Sequence, residues 1–129
     1  MKKQVKSISI SGVAIGQWRN STKKGSGLSK KETEDKIKMS IILGKPVFMY
    51  KTGDYIVKYH DLNILISRDG NVLTIWRHED KSSYVFASES AKTNLKKKLS
   101  KEIDNLVLSK HELIINGHFK MQHQGVGFN

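Results

Sequence analysis

Hydrophobic positions alternate with period two between Lys45 and Trp76, and they recur with helical spacing on either side of that region. The alternation predicts four strands, at 46–51, 55–59, 62–67 and 72–77. The connections are short, and the Asp-Gly pair before the last strand is flanked by alternating apolar residues, a strong hairpin signal. The pattern therefore predicts a four-stranded antiparallel meander.

A helix is predicted immediately before this sheet. Ser29 fits the N-cap position, and Glu32, three residues later, completes a capping box. The helix is expected over 30–43, and Gly44 stands where a helix ends. Residues 1–28 are expected to form a basic strand-and-loop segment.

After Asp80 the hydrophobic pattern changes from strand-like alternation to helical spacing. A second helix is predicted over about 90–108, with Ser88 or Ser90 as its cap. Its apolar stripe consists of Leu95, Leu99, Ile103, Leu106 and Val107. An Asn-Gly pair within 113–121 indicates a closing hairpin.

Together these elements predict one α+β domain of 129 residues. Its parts are the N-terminal segment 1–28, a helix-plus-sheet core at 29–80 and an extension at 81–129. One helix is expected to pack on a face of the four-stranded antiparallel meander, and the second, C-terminal helix follows the sheet.

Side-chain alternation assigns each strand residue to one of two sheet faces. The apolar face is expected to hold Phe48, Tyr50, Tyr55, Val57, Tyr59, Leu62, Ile64, Ile66, Leu73 and Ile75. The opposite face has Lys58, Asn63 and Trp76 in one lateral row and Thr74 in the next. A cation, an amide, an indole and a hydroxyl on one face suit phosphate binding and base stacking. If the 90–108 helix covered this face instead, Trp76 would be a core residue.

The charge of the chain is the strongest indication of its partner. The chain has 23 Lys+Arg against 12 Asp+Glu, a net charge of +11, and residues 1–31 contain no acid. Such a field attracts polyanions, so RNA is the expected partner. The residues expected to bind it are Arg19, Lys23, Lys24, Lys30, Lys31 and Asn63. No membrane span is expected, because no apolar run of about 18 residues exists.

Several chemistries lack the residues they require. With no cysteine, the chain cannot form a thiolate metal site. His111 and Glu112 begin like a zinc-protease helix, but Ile115 stands where the second histidine is needed. We therefore expect no metal and no other cofactor. Metal-independent RNA cleavage needs only a base for the ribose 2′-OH, an acid for the leaving 5′-oxygen and cations for the phosphorane charge.

The hairpin NILISRDGNVLTIW, residues 63–76, is an apolar strand, an Asp-Gly turn and a second apolar strand ending in Thr74, one residue and Trp76. It resembles the central hairpin of the barnase–EndoU–colicin–RelE ribonuclease group, in particular colicin D-like and contact-dependent growth inhibition toxin domains. The preceding helix and GKPVFMYKTGDYIVKY resemble the helix-to-sheet passage of the same toxins, so the resemblance covers about 28–77. It implies tRNA cleavage with Thr74 and Trp76 at the site.

The chain departs from these toxins upstream of the helix. Colicin D-like sites take a histidine and lysines from that region, whereas the first histidine here is His60. Either Arg19, Lys23 and Lys24 supply cations alone, or a histidine from another part of the chain transfers the protons. The expected catalytic residues are Thr74, Trp76, His60, His78 and Lys58.

The leading interpretation is a ribonuclease toxin domain that cleaves tRNA. Such a domain would come from a larger secreted bacterial protein, act in the cytoplasm of a target cell and be neutralised by an acidic immunity protein in its producer. The alternative is a non-catalytic basic nucleic-acid-binding module, such as a phage or plasmid regulator. A structural or host-interaction protein would neither bind nor cleave RNA.

Overall fold

The computed structural model describes residues 7–21, 27–77, 80, 82 and 84–119, and the backbone of 122–123. Its elements in chain order are β1 (Ser9–Ile10), α1 (Gly12–Ser21), α2 (Lys30–Leu43), β2 (Lys45–Met49), β3 (Tyr55–Tyr59), β4 (Leu62–Ile66), β5 (Asn71–Arg77), α3 (Glu89–Lys96), α4 (Ser100–Ile115) and β6 (Gln122–His123). The predicted α+β class is confirmed.

The sheet is mixed, with the strand order β1-β5-β4-β3-β2-β6. Strands β2 to β5 form the consecutive antiparallel pairs that the alternation predicts. The two-residue strands β1 and β6 add parallel pairs, to β5 and β2 respectively. The prediction of a purely antiparallel, four-stranded sheet was therefore wrong. The sequence did not reveal β1 and β6, because two-residue strands are too short to show an alternation.

Helix α1 contradicts the strand-and-loop expectation for the N-terminal segment. The Ser11 hydroxyl accepts a hydrogen bond from the Ala14 N–H at 3.0 Å and donates to the Leu73 carbonyl at 3.1 Å. Ser11 is therefore both a cap for α1 and a link to β5. Ala14 and Trp18, four residues apart, are buried on one side of the helix. The glycines of α1 lower its helix propensity, and this hid the helix in the sequence.

Helix α2 begins and ends where the sequence predicts. The Glu32 N–H donates to the Ser29 hydroxyl at 3.1 Å, and the Ser29 N–H donates to Glu32 Oε1 at 3.3 Å, which confirms the capping box. Gly44 has a φ of −79°, so it is not a left-handed cap. A Cβ at this position would lie 2.7 Å from the Lys58 carbonyl oxygen, and this close approach of α2 to β3 explains the glycine.

The predicted second helix is two helices, α3 and α4. Ser88 caps α3, as expected, by accepting the Ala91 N–H at 3.1 Å. The chain breaks at Lys97 and resumes as α4, whose first turn is held on α2. There the Ser100 hydroxyl donates to Asp35 at 3.2 Å. The local hydrophobic pattern cannot reveal such a contact between distant parts of the chain, so it predicted one continuous helix.

The expected closing hairpin at 113–121 is also wrong. Leu113 belongs to α4, which continues to Ile115. Gly117 follows with a φ of +82°, the left-handed conformation that ends many helices. The Asn-Gly pair is therefore a helix terminus.

Helices α1, α2 and α4 pack on one face of the sheet. Their contribution to the core includes Ala14, Trp18, Ile37, Ile41, Val107 and Ile114. The strands contribute Tyr55, Val57, Leu62, Ile64, Ile66, Val72 and Ile75. We call this the inner face. The sequence predicted one helix on this face, and the structure has three.

The β4–β5 connection alters the predicted register at one position. Arg68, Asp69 and Gly70 form a three-residue loop, with Gly70 at a φ of +85°, in place of the two-residue turn expected. Ile66 consequently pairs with Val72, and a bulge then restores the predicted pairs. Leu73, expected in the core, is 39% exposed, and Val72 is buried instead.

A second irregularity reverses part of β2. The register shifts between Pro46 and Phe48, so Phe48 pairs with Ile56 and Met49 with Tyr55. Phe48 therefore lies on the face opposite the core, contrary to the alternation in the sequence. Tyr50 lies beyond the end of the strand.

Candidate functional site

The sheet face opposite the inner face carries two adjacent rows of side chains, and we call it the outer face. The first row is Lys45, Lys58, Asn63 and Trp76, and the second is Phe48, Ile56, Leu65 and Thr74. The register thus brings together four of the predicted site residues from β3, β4 and β5. Strand alternation positions them, because their sequence neighbours Val57, Ile64 and Ile75 face the core.

Trp76 is accessible on this face, with 38% of its surface exposed. Helix α4 lies on the inner face, where Val107 and Ile114 join the core. The alternative in which the second helix covers Trp76 and makes it a core residue is therefore wrong. An exposed indole beside a cation and an amide can stack a nucleobase.

Lys58 and Asn63 are paired across β3 and β4 and are both buried, with 6% and 7% of their surfaces exposed. Within the described part of the chain, Asn63 Nδ2 has no hydrogen-bond acceptor. A buried donor without an acceptor costs about 1–3 kcal/mol, and native proteins keep few of them. A buried cation beside an unpaired amide donor is an arrangement that suits an anionic oxygen.

Thr74 is engaged with α1. Its hydroxyl donates to Gln17 Oε1 at 2.9 Å, and the same oxygen accepts the Ile75 N–H at 2.7 Å. Gln17 thus takes the place of a neighbouring strand beside β5. Because a hydroxyl carries one proton, Thr74 can donate to a phosphate only after it releases Gln17.

His60 lies apart from the two rows, at the β3–β4 turn. Its backbone is in the left-handed region, with a φ of +56°, which is uncommon for a residue other than glycine. Its ring packs edge-on against Phe86 at 4.6 Å and lies 6.4 Å from the Tyr84 ring. The His60 N–H donates to the Val85 carbonyl at 2.6 Å. His78, the other histidine expected to transfer protons, lies outside the described residues.

The basic residues expected to bind RNA are dispersed. The Arg19 guanidinium donates to the Leu28 carbonyl at 3.0 Å and is half-buried, so it joins α1 to the start of α2. Lys30 and Lys31 are exposed in the first turn of α2, where Lys31 forms a 3.3 Å ion pair with Asp35. Lys23 and Lys24 lie outside the described residues.

His111, the residue that begins the failed zinc motif, is a buried part of the core. Its Nδ1 accepts from the Tyr55 hydroxyl at 2.7 Å, and its Nε2 donates to the Arg68 carbonyl at 3.0 Å. Burial lowers the pKa of His111 and raises that of Tyr55. No group of three or more His, Cys, Asp or Glu residues within the described ranges could hold a metal ion.

Sequence reasoning missed two residues beside the site. Gln17 was missed because α1 itself was not predicted, so no pattern placed it next to β5. Lys45 enters the first row through the irregularity in β2, which alternation alone does not reveal. Its position immediately after the glycine that ends α2 is the signal that could have marked it as the first strand residue.

None of the helices in the described part of the chain is long and apolar enough to span a membrane. Comparison of the chain with family models, curated proteins and solved structures found no match.

Proposed function

We propose that this chain is a metal-independent endoribonuclease domain that cleaves RNA on the outer face. The observation that carries this proposal is the row of Lys58, Asn63 and Trp76 across three adjacent strands, with a buried amide donor that lacks an acceptor among the described residues. The net charge of +11 favours a polyanionic substrate. The resemblance of 28–77 to colicin D-like toxin domains favours tRNA and a role in bacterial competition.

Each residue of the row has a chemical role in this proposal. Trp76 stacks a base next to the scissile phosphate, Asn63 donates to a non-bridging oxygen, and the Lys58 ammonium offsets the charge that develops on the phosphorane. Thr74 is a positioning residue that fixes Gln17 against β5.

The reaction is transesterification within the RNA chain. The ribose 2′-oxygen loses its proton to a base and attacks the adjacent phosphorus, the bond to the 5′-oxygen breaks, and an acid protonates that oxygen. The products are a 2′,3′-cyclic phosphate and a 5′-hydroxyl. His60 and His78 are the histidines proposed to transfer these protons. Because the His60 ring packs against Phe86 at the β3–β4 turn, apart from the two rows, single substitutions to alanine test whether each of them takes part.

The alternative is a basic module that binds nucleic acid without cleaving it. One observation favours this second function: the outer-face rows contain no histidine among the described residues, and the Thr74 proton is already donated to Gln17. A module of this kind needs the stacking and phosphate contacts but no acid or base.

The deciding experiment incubates the purified chain with total tRNA in EDTA and maps the fragment ends. We expect discrete fragments with 2′,3′-cyclic phosphate ends, and Trp76→Ala should remove most of the cleavage. The matched control is Leu99→Ala, which truncates another exposed apolar side chain, 72% exposed, away from the outer-face rows and from His60. Intact tRNA that is nevertheless bound would overturn the nuclease and favour the binding module.

A further inference from the structure

A cavity lies at the β3–β4 turn, on the side of the sheet that the helices cover. Its volume is about 370 Å³, within the range of small-molecule sites. Helices α2 and α3 form its walls together with the turn residues His60 and Asp61. His60 has a proposed role in cleavage, whereas none of the roles proposed for the outer-face residues uses this space.

The lining combines cations with apolar and aromatic surface. Lys36 extends from α2, and Lys92 and Lys96 extend from one side of α3 at a spacing of four residues. Trp18 and Tyr59 line the same cavity. Lysine ammonium groups attract phosphate, and aromatic rings stack on nucleobases.

The charge balance of the cavity favours an anion. Asp61 is the carboxylate in the lining, and Arg77 neutralises it through contacts of 2.6 Å from Nε and 2.5 Å from Nη2 to its Oδ2. Lys92 has an ion-pair partner at 3.2 Å, Glu89, which is exposed and easily replaced by a ligand. The three lysines therefore leave an excess of positive charge at the cavity.

The backbone at the cavity supports a binding role. His60 lines the cavity and has a positive φ of +56°. Among the described residues other than glycine, it alone has a positive φ. Strained backbone of this kind concentrates at ligand sites. The hydrogen bond from the His60 N–H to Val85 holds the turn in this conformation.

We infer that this cavity binds a single nucleotide, with the base against Trp18 and Tyr59 and the phosphate among Lys36, Lys92 and Lys96. The nucleotide has two possible sources, a free nucleoside monophosphate or one residue that is splayed out of an RNA strand. Both present the same chemistry to the cavity. Among these lining residues, His60 also has a proposed role in cleavage, but the nucleotide contacts use Trp18, Tyr59 and the three lysines, so either proposal can fail alone.

The test uses intrinsic fluorescence. The chain has two tryptophans, so Trp76→Phe leaves Trp18 as the sole reporter, and it lies in the cavity. We expect adenosine 5′-monophosphate to change the Trp18 emission saturably. Lys36→Gln combined with Lys96→Gln should weaken this binding about tenfold or more, because two charge-assisted contacts are lost. The matched control, Lys97→Gln with Lys101→Gln, removes the same charge from exposed lysines outside the cavity lining.

Three results would overturn the inference. The first is no saturable change in Trp18 emission, and the second is an equal loss of nucleotide affinity in both double variants. The third is an affinity for dodecanoate that equals the affinity for the nucleotide and does not depend on the lysines. The last would indicate an acyl ligand. A short RNA blocked at both ends distinguishes the two sources: competition with the monophosphate indicates a splayed residue, and no competition indicates a free nucleotide. Unchanged circular dichroism of both double variants excludes unfolding as the cause.

Discussion

Strand β3 carries a buried polar side chain on each face of the sheet, and the two have different surroundings. On the inner face, Tyr55 donates to His111 at 2.7 Å, and His111 in turn reaches the Arg68 carbonyl at 3.0 Å. On the outer face, Lys58 lies opposite Asn63 in the strand register, and Asn63 Nδ2 has no acceptor in the described structure. A completed network stabilises the fold, whereas an unpaired donor such as Asn63 Nδ2 retains hydrogen-bonding capacity for a ligand.

The largest expected effect comes from Asn63→Leu, which removes the unpaired amide from the outer face. We expect tRNA cleavage to fall on the order of 10²-fold, as for the loss of one transition-state donor. The free energy of unfolding should stay unchanged or rise, because a buried donor without an acceptor disappears. Single-turnover cleavage and urea denaturation measure the two quantities. Asn105→Leu, at an exposed site on α4, is the control, and wild-type cleavage by Asn63→Leu would remove this residue from the mechanism.

His111→Leu should have the converse effect on the inner face. It leaves the Tyr55 hydroxyl and the Arg68 carbonyl unpaired, so we expect a loss of about 3 kcal/mol in the free energy of unfolding. Cleavage per folded molecule should not change. Adding Tyr55→Phe removes the second buried polar group, and the double variant should therefore lose less stability than the sum of the two single variants. Strict additivity would show that the two side chains do not act as a network.

The same network predicts how stability depends on pH. Burial lowers the pKa of His111 below its ordinary 6.5, although the Arg68 carbonyl and the carboxylates of Glu112 and Asp69 oppose the shift. The unfolded chain therefore binds its proton at a higher pH than the folded chain. The contribution of His111 is present above pH 6.5 and is lost as pH falls below that value toward the lowered pKa. Urea denaturation between pH 7.5 and 5 should show a steeper loss for the wild type than for His111→Leu, and parallel curves would contradict the assignment.

The two faces also differ in how far the sequence predicts them. Alternation correctly pairs Val57 with Ile64 and Lys58 with Asn63, because β3 and β4 are regular and joined by a short turn. It fails at Val72 and Phe48, where an extra residue reverses the faces locally. Such irregularities depend on loop geometry and cross-strand packing, which period-two reasoning does not contain.

Helix α1 and the Tyr55–His111 network could not be predicted from local sequence patterns for a different reason. The N-cap of α1 is Ser11, whose hydroxyl also binds the Leu73 carbonyl, 62 residues away in sequence. His111 could be excluded as a zinc ligand from sequence, but its partner Tyr55 lies 56 residues away. Capping signals near Ser29 were sufficient for α2 because all their donors and acceptors lie within one helical turn.

Thr74→Val has the smallest expected effect and separates a positioning role from a phosphate contact. The hydroxyl proton is donated to Gln17 Oε1, which still accepts the Ile75 N–H when Thr74 is replaced. We therefore expect about 1 kcal/mol of lost stability, the value of an ordinary hydrogen bond, and cleavage within a few-fold of wild type. Gln17→Leu is the matched variant, since it breaks the same contact and leaves the hydroxyl in place. If Thr74→Val is folded and loses cleavage on the order of 10²-fold while Gln17→Leu retains it, then the hydroxyl leaves Gln17 to bind the phosphate, and Thr74 belongs with Asn63 among the residues that touch the substrate.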